Sequence, residues 1–352
     1  MRRVTVPFFI SHQGCPHTCV FCDQHIISGA TGRLPSCDEI IAKVQAWQLS
    51  AGSCPMEVAF FGGTFTALPL DKQEQLLEPL QPLLAAGAID SIRISTRPDS
   101  INAEHVVWLA ARGVRTIELG VQSMDNGVLA AAGRGHDAAA SADAIRCIKQ
   151  GGLSVGAQLM PGLPGDTPAT ALRSLESVIA AGANFVRIYP ALVLRGTELA
   201  RRFGAGEYSP LGLDEGVRLC KVLLHTALKS GAGVIRIGLQ EDEGLNSASV
   251  LAGCRHPAFG QLVRSELYYD LLCHLASGLP DAAPLLIRCH PARISDVIGQ
   301  VRVNLKRLRK QDRVIEVKPD VSLLKEEVVI NYMNHYCKGH IINDLHFNIN
   351  EV

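Results

Sequence analysis

Short apolar runs alternate with longer amphipathic stretches from residue 4 to about residue 240. The runs Val4–Ile10, Glu57–Phe61, Ser91–Thr96, Arg115–Val121, Ser154–Met160 and Phe185–Tyr189 have the length and the β-branched or aromatic content of strands. The stretches Asp38–Leu49, Lys72–Ala85, Ala103–Arg112, Ala138–Gln150 and Pro168–Ala181 read as helices, and most of the intervening segments carry a Gly. Strand, helix, strand at this rhythm predicts parallel βα units, because a parallel return needs a crossover and a helix supplies it. Right-handed crossovers curl six such units into a partial barrel with its helices outside. A doubly wound sheet would give the same local pattern, so periodicity alone leaves both architectures open.

In either architecture the loops after the strands gather on one face, where sites form. Unusual residues fall at those places: Cys15–Cys22 after the first strand, Gly62-Gly63-Thr64 after the second and Arg97-Pro98-Asp99 after the third. Gln122-Ser123 follows the fourth and Pro161-Gly162-Leu163-Pro164-Gly165 the fifth. Farther along, a helix at Leu213–Ser230 leads to a seventh strand candidate, Gly233–Leu239, then a polar loop over 240–244 and a helix at Leu262–Ala276. After a Gly/Pro/Asp stretch at 278–284, a small unit reads as strand Leu285–Cys289, helix Ser295–Lys310 capped by Ser295, and strand Arg313–Val317. Residues from about 340 read as extended or frayed. The pattern divides the chain into a barrel over 1–240, a barrel-closing helical extension over 241–280 and a small basic α/β unit over 281–352.

Among 352 residues, 47% are apolar and 19% charged, and formal net charge is zero, so any attraction to nucleic acid must be local. The apolar N-terminal run is too short for a secretory signal, and no apolar run reaches the length of a transmembrane helix. The expectation is a cytoplasmic protein without membrane contact. Eleven cysteines include eight without pairing periodicity (37, 54, 147, 220, 254, 273, 289 and 337), which read as reduced, mostly packed thiols. A metal site at Cys254-Arg-His256 is the weaker alternative for one of them.

The other three cysteines change the picture. Cys15, Cys19 and Cys22 form a C-x3-C-x2-C motif, enough to hold three corners of a 4Fe–4S cluster while leaving one iron open for chemistry. A closed structural site would want a fourth ligand at regular spacing; His12, His17 and His25 keep a zinc site as the alternative. Gly62 and Gly63 leave backbone groups accessible to a charged small molecule, although a tight turn gives the same residues. Gln122 ends a strand whose alternation points it at the barrel mouth, and its amide can both donate and accept. His136 reads as a hydrogen-bonded structural histidine.

With Phe61-Gly-Gly-Thr-Phe65, Thr96-Arg-Pro-Asp99, Glu118-Leu-Gly-Val-Gln-Ser123, Arg134-Gly-His136, Met160-Pro-Gly-Leu-Pro-Gly165, Arg187-Ile-Tyr-Pro190 and Arg236-Ile-Gly-Leu-Gln240, the chain is similar to the radical S-adenosylmethionine (SAM) superfamily. Over residues 1 to about 265 it resembles the radical SAM domain of the Elongator catalytic subunit, and more loosely oxygen-independent coproporphyrinogen oxidase. The resemblance implies a partial (βα)6 TIM-like barrel with a small C-terminal α/β appendage. It also implies a 4Fe–4S cluster on Cys15, Cys19 and Cys22 that reductively cleaves SAM to a 5′-deoxyadenosyl radical, fed by a donor such as flavodoxin or ferredoxin. SAM would meet Phe21, Gly62, Gly63, Thr64, Ser95, Gln122, Arg134 and Gln158, with Phe21 near the adenine and the planar fork of Arg134 on the carboxylate. No catalytic side chain beyond the cluster and SAM is implied. Ser95 stands where Elongator-type sequences usually carry Glu, and Gln158 where the coproporphyrinogen enzyme has Asp, so charge is lost but hydrogen-bonding capacity is kept. Because the chain ends where an acetyltransferase domain would begin, acetyl-CoA chemistry on the wobble uridine is not expected.

The leading reading is therefore a radical SAM enzyme that modifies tRNA, and the second is the same chemistry on a small metabolite or peptide. A reading from another class is a non-catalytic RNA-binding protein with a structural cluster. Residues 285–320 contain nine basic residues against four acidic, and Arg302, Lys306, Arg309 and Lys310 crowd one face of the expected tail helix. Such a face contacts phosphates or is simply solvated.

Overall fold

The computed structural model describes residues 3–23, 32–239, 248–280, 284–309, 313–333, 335–349 and 352. Strands β1 (Val4–Phe9), β2 (Met56–Phe61), β3 (Ser91–Thr96), β4 (Val114–Gln122), β5 (Ser154–Leu159) and β6 (Phe185–Ile188) lie in chain order, each parallel to the next. β7 (Leu192–Leu194) leaves this sheet, and β8 (Gly233–Ile237) completes it as the seventh parallel strand. A doubly wound sheet reverses its strand order at a switch point; this sheet never does, and it curls into a half-barrel with β1 and β8 at its two edges. β7 instead pairs antiparallel with β9 (Val250–Gly253), an element the pattern of the sequence does not announce.

Helices α1 (Cys37–Ala51), α2 (Leu70–Leu77), α3 (Gln81–Ala85), α4 (Ala103–Ala111), α5 (Asn126–Ala131), α6 (Ala138–Gln150), α7 (Pro168–Ala180), α8 (Glu198–Gly204) and α9 (Leu213–Lys229) return the chain. Side-chain caps start several of them: Ser36 with Glu39 closes a capping box on α1, Asp137 accepts from Ala140 N on α6, and Thr167 precedes Pro168 at the first turn of α7. The single helix expected over Lys72–Ala85 is split into α2, a 3-10 turn and α3, because Pro79 and Pro82 bring no N–H to the ladder. Ile92, Ile94, Ile117, Leu119, Val121 and Val155 are fully buried. Their strand neighbours of opposite parity, Arg93, Ser95, Glu118, Gly120, Gln122 and Gln158, line a cavity instead. The inner face of this half-barrel is thus polar, unlike the packed interior of a closed barrel.

α10 (Phe259–Ala276) joins the half-barrel to the C-terminal unit. Val263, Leu267, Tyr268, Leu271 and Leu272 belong to one continuous apolar core that reaches from Val6 to Leu345. The unit is a four-stranded sheet of order β11-β10-β12-β13, comprising β10 (Leu285–Cys289), β11 (Ile315–Pro319), β12 (Glu327–Tyr332) and β13 (His335–His340). β10 and β11 lie close to the two expected strands and pair in parallel. β12 and β13 replace part of a tail read without strands, and β13, His-Tyr-Cys-Lys-Gly-His, has no apolar alternation that would have announced it.

The expected helix Ser295–Lys310 is not continuous. α11 (Ile294–Ile298) and α12 (Val303–Leu308) are separated at Gly299, after which Val301 (φ 51°) and Arg302 (φ 60°) are left-handed. Ser295 is no N-cap, because a 3-10 turn at Pro291–Arg293 leads into α11. Buried Asn304 holds the break: its Nδ2, with two hydrogens shared among them, lies within hydrogen-bond distance of Ser265 O (2.9 Å), Ser265 Oγ (3.0 Å), Val297 O (3.2 Å) and Asp296 O (3.3 Å). Two of these are carbonyls that α11 leaves without an intrahelical partner. Asn304→Leu should cost about 2–3 kcal/mol, read as a lower urea midpoint at unchanged slope.

A candidate cofactor site at the strand ends

The loop after β1 carries the three cysteines and is held from three sides. Thr64 N donates to Gln13 O (2.9 Å), Val20 N to Ala132 O (3.1 Å) and Leu199 N to Val20 O (2.7 Å), tying it to the β2 loop, α5 and α8. A Cβ on Gly63 would lie 2.5 Å from Ile10 O and 2.6 Å from Gln13 O. Glycine is therefore required there for close backbone packing, in addition to any ligand access. Beneath the loop, Cys19, Val20 and Phe21 enter a second apolar cluster with Val128, Ala132, Met160, Leu163 and Leu199.

One cavity of about 740 Å³ lies inside the half-barrel, and every expected cofactor residue lines it. Cys15, Cys19 and Cys22 face it, as do Phe21, Gly62, Gly63, Thr64, Ser95, Gln122, Arg134 and Gln158. Cys15 Sγ lies 3.4 Å from Thr64 Oγ1, and Gln158 Nε2 donates to Gln122 Oε1 at 3.4 Å. Gln122 has a left-handed backbone (φ 71°) at an irregularity in the β4–β5 pairing, the kind of strain that sites retain. Among the described residues no three His, Cys, Asp or Glu side chains converge as ligands of a single ion would. His12 and His17 line the same cavity as the three thiols, and His25 lies outside the described residues. The residues fit a polynuclear cluster with a chelating cofactor: three thiols open on a shared cavity beside a glycine cradle and amide side chains, and Arg134 Nε is buried without a partner.

The far wall of the cavity was not read from the sequence. Arg93 bridges Glu57 (Nη2–Oε1 2.7 Å) and Glu118 (Nη1–Oε1 2.5 Å), and Arg187 grips Glu118 from the other side (Nε–Oε2 2.7 Å, Nη2–Oε1 2.9 Å). Arg187 Nη1 also donates to Tyr189 Oη at 2.9 Å. Burial opposes charge on Arg187, yet the Glu118 carboxylate keeps its pKa raised. The available signal was a charge at an inward position of β2, β3, β4 and β6 in turn: Glu57, Arg93, Glu118 and Arg187. At the β3 loop, Arg97 makes a two-point pair with Asp99 (2.9 and 2.8 Å), which lowers the carboxyl pKa despite burial. Burial and then Arg134 push the His136 imidazole down to about 4, so it is neutral at neutral pH; both ring nitrogens are buried without a hydrogen-bond partner among the described residues, so the hydrogen bond expected of it is not found.

The tail residues are not part of this cavity. Arg302 sits at the kink before α12, while Lys306 and Arg309 follow on α12 and its C-terminal end, so the expected single basic face is broken; Lys310 lies outside the described residues. Arg288, Arg293, Arg307 and Lys318 are engaged with Asp320, Asp296, Glu266 and Glu316. Cys254 is buried and its Sγ donates to the carbonyls of Leu211 and Gly212, as an incidental packed thiol does. No helix among the described residues is long and apolar enough to cross a membrane.

A family profile described as the Radical SAM superfamily matches residues 9–178, and a Radical SAM C-terminal domain profile matches 183–269. The tRNA uridine(34) acetyltransferase of Methanocaldococcus jannaschii is 27% identical over 256 residues, 61% of this chain and 47% of that protein. Elongator complex protein 3 of Mus musculus is 28% identical over 197 residues, covering 49% and 36% of the two chains. The chain thus spans about half the length of the first, or less, of the curated relatives it matches in this way. Among solved structures, the archaeal Methanocaldococcus infernus Elp3 with an N-terminal deletion superposes with a TM-score of 0.59 at 21% identity, over 81% of this chain and 70% of that one. The hydrogenase maturase HydG superposes with a TM-score of 0.52 at 13% identity, over 74% and 54%. At these identities the structural likeness shows the fold.

Proposed function

The chain is a member of the radical SAM superfamily, whose enzymes use a 4Fe–4S cluster and SAM, and from that premise we propose that its cavity holds both and acts on tRNA. The observation that carries this reading is the convergence of three thiols and eight expected cofactor residues, from five strand ends and the turn after α5, on one cavity. Cys15, Cys19 and Cys22 would ligate the cluster and leave one iron free. Gly62, Gly63 and Thr64 would offer backbone groups to the SAM amino group, while Ser95, Gln122 and Gln158 would offer neutral donors and acceptors. Phe21, fixed in the apolar cluster under the loop, would lie beside the adenine. When bound, the pair supplies one-electron cleavage of the sulfonium and hydrogen abstraction from substrate. The chain's own part is orientation and exclusion of water: the Glu57–Arg93–Glu118–Arg187 wall is rigid because each charge is held by its neighbours. The electron would come from a donor of the flavodoxin or ferredoxin class. Adding SAM to the anaerobically reconstituted, reduced protein should change the electron paramagnetic resonance spectrum of the cluster; an unchanged spectrum contradicts an open iron.

The tRNA assignment is supported by the names of the relatives and by three exposed cations, Arg302, Lys306 and Arg309, that have no acidic partner among the described residues. No aromatic side chain is interleaved among them, so contact would be with phosphates. Neutralising all three should weaken tRNA binding about equally across sequences and reduce the salt slope by roughly 0.7–0.9 per lost contact. If a salt titration shows no difference from the parent, this face is solvated, and a small-molecule substrate becomes the better reading.

A further inference from the structure

Arg134 is buried, and its guanidinium is directed at a cluster-ligand sulfur. Nη1 donates to Cys19 Sγ at 3.1 Å, and Nη2 donates to Gly120 O. The backbone around it is built to deliver it there. Gly133 and Gly135 flank it with φ of 66° and 72°, and a Cβ on Gly135 would lie 2.5 Å from the His17 ring. Leu129 O accepts from Arg134 N (3.0 Å), and Arg97, itself held by Asp99, donates Nη2 to Arg134 O. Both ends of the residue are therefore fixed, which costs side-chain entropy that a solvated arginine would keep.

We propose that Arg134 is a positioning residue for Cys19: it donates a charge-assisted hydrogen bond to the ligand thiolate and so eases reduction of the cluster. This rests on the cofactor reading above. The physical reason is electrostatic. An iron–sulfur potential is set by net charge, hydrogen bonds to sulfur and solvent exposure. Reduction adds one negative charge to the cluster, a guanidinium beside a ligand sulfur stabilises that state more than the oxidised one, and burial keeps the interaction unscreened. Arginine suits the task because it stays charged where a lysine would be prone to lose its proton. Nη1 is thereby committed to sulfur, whereas the resemblance would give the fork to the SAM carboxylate. The two roles differ in what they do when SAM is absent.

The test is a redox titration, followed by electron paramagnetic resonance without SAM, of the full chain reconstituted anaerobically with iron and sulfide. Arg134→Met should keep its cluster iron and shift the midpoint to more negative potential, and Arg134→Lys should shift it less. If Arg134→Met loses its iron, the shift in Arg134→Lys carries the test. An unchanged SAM-free midpoint in the variants, with SAM binding weakened, overturns the proposal and leaves Arg134 as a partner of the cofactor carboxylate. A parent chain that takes up no cluster iron overturns the cofactor reading itself, and iron analysis of the parent tells the two failures apart.

Discussion

Replacing Cys15, Cys19 or Cys22 with Ala abolishes SAM cleavage and strips cluster iron from the protein, whereas Cys54→Ala and Cys147→Ala leave both intact. The parent should carry about four iron atoms per chain after anaerobic reconstitution, because one cubane takes the three thiolates that share the cavity and, among the described residues, none of the other eight cysteines lines it. The three cysteines are the ones that line the cavity. Cys147 lies on α6, behind the strands, where burial raises its pKa and disfavours the thiolate a metal wants, and Cys54 is exposed after α1. Iron near eight per chain, or a full iron complement in Cys19→Ala, would mean that other thiols bind a cluster.

Glu118→Gln should destabilise the folded chain by about 3–5 kcal/mol, the range for breaking a buried ion pair from one side. Glu118 is almost wholly buried and is the only carboxylate that touches both Arg93 and Arg187 among the described residues. Without its charge, Arg187 keeps Tyr189 Oη and the Phe61 ring (5.7 Å), and Arg93 keeps Glu57 and the Phe185 ring (5.6 Å). An uncompensated guanidinium in a poorly solvated site is costly because nothing replaces its lost hydration. Simultaneous replacement of Glu118 and Arg187 by Met, which leaves Arg93 paired with Glu57, should recover much of the loss, because the penalty comes from stranded charge more than from any net gain of the pairs. Urea unfolding of the single and double variants checks both statements. A shift under about 1 kcal/mol for Glu118→Gln would place the network in solvent-screened surroundings.

Much of the fold could be read because each local signal agreed with the next. Six strand runs and a seventh candidate fell within one or two residues of β1–β6 and β8, since buried apolar residues recur at alternate positions on the helix-facing side of the strands. The cysteine spacing and the strand-end glycines predict loops gathered on one face, and those residues line one cavity. Two kinds of feature were not legible. Ion pairs between strands, such as Glu57–Arg93–Glu118–Arg187, join residues as far apart as 57 and 187, and a single sequence does not show which charges meet. The C-terminal unit failed for a different reason. Val297, Val301, Leu305 and Leu308 do recur at helical spacing, but Asn304 satisfies the carbonyls of a broken helix from the side, so a tertiary hydrogen-bond set overrode local periodicity. β13 is an edge strand with few apolar residues, and its pairing is decided by β12 and α10 beside it.

The central claim is that the thiols and amides of one cavity together hold a cluster and SAM in a productive arrangement. The most direct measurement is the yield of 5′-deoxyadenosine after the anaerobically reconstituted chain is reduced and incubated with SAM. The account predicts 5′-deoxyadenosine and methionine in equal amounts, dependent on reductant and on each of Cys15, Cys19 and Cys22. A protein that carries its full cluster iron, binds SAM and still forms no 5′-deoxyadenosine above the Cys→Ala background would contradict it.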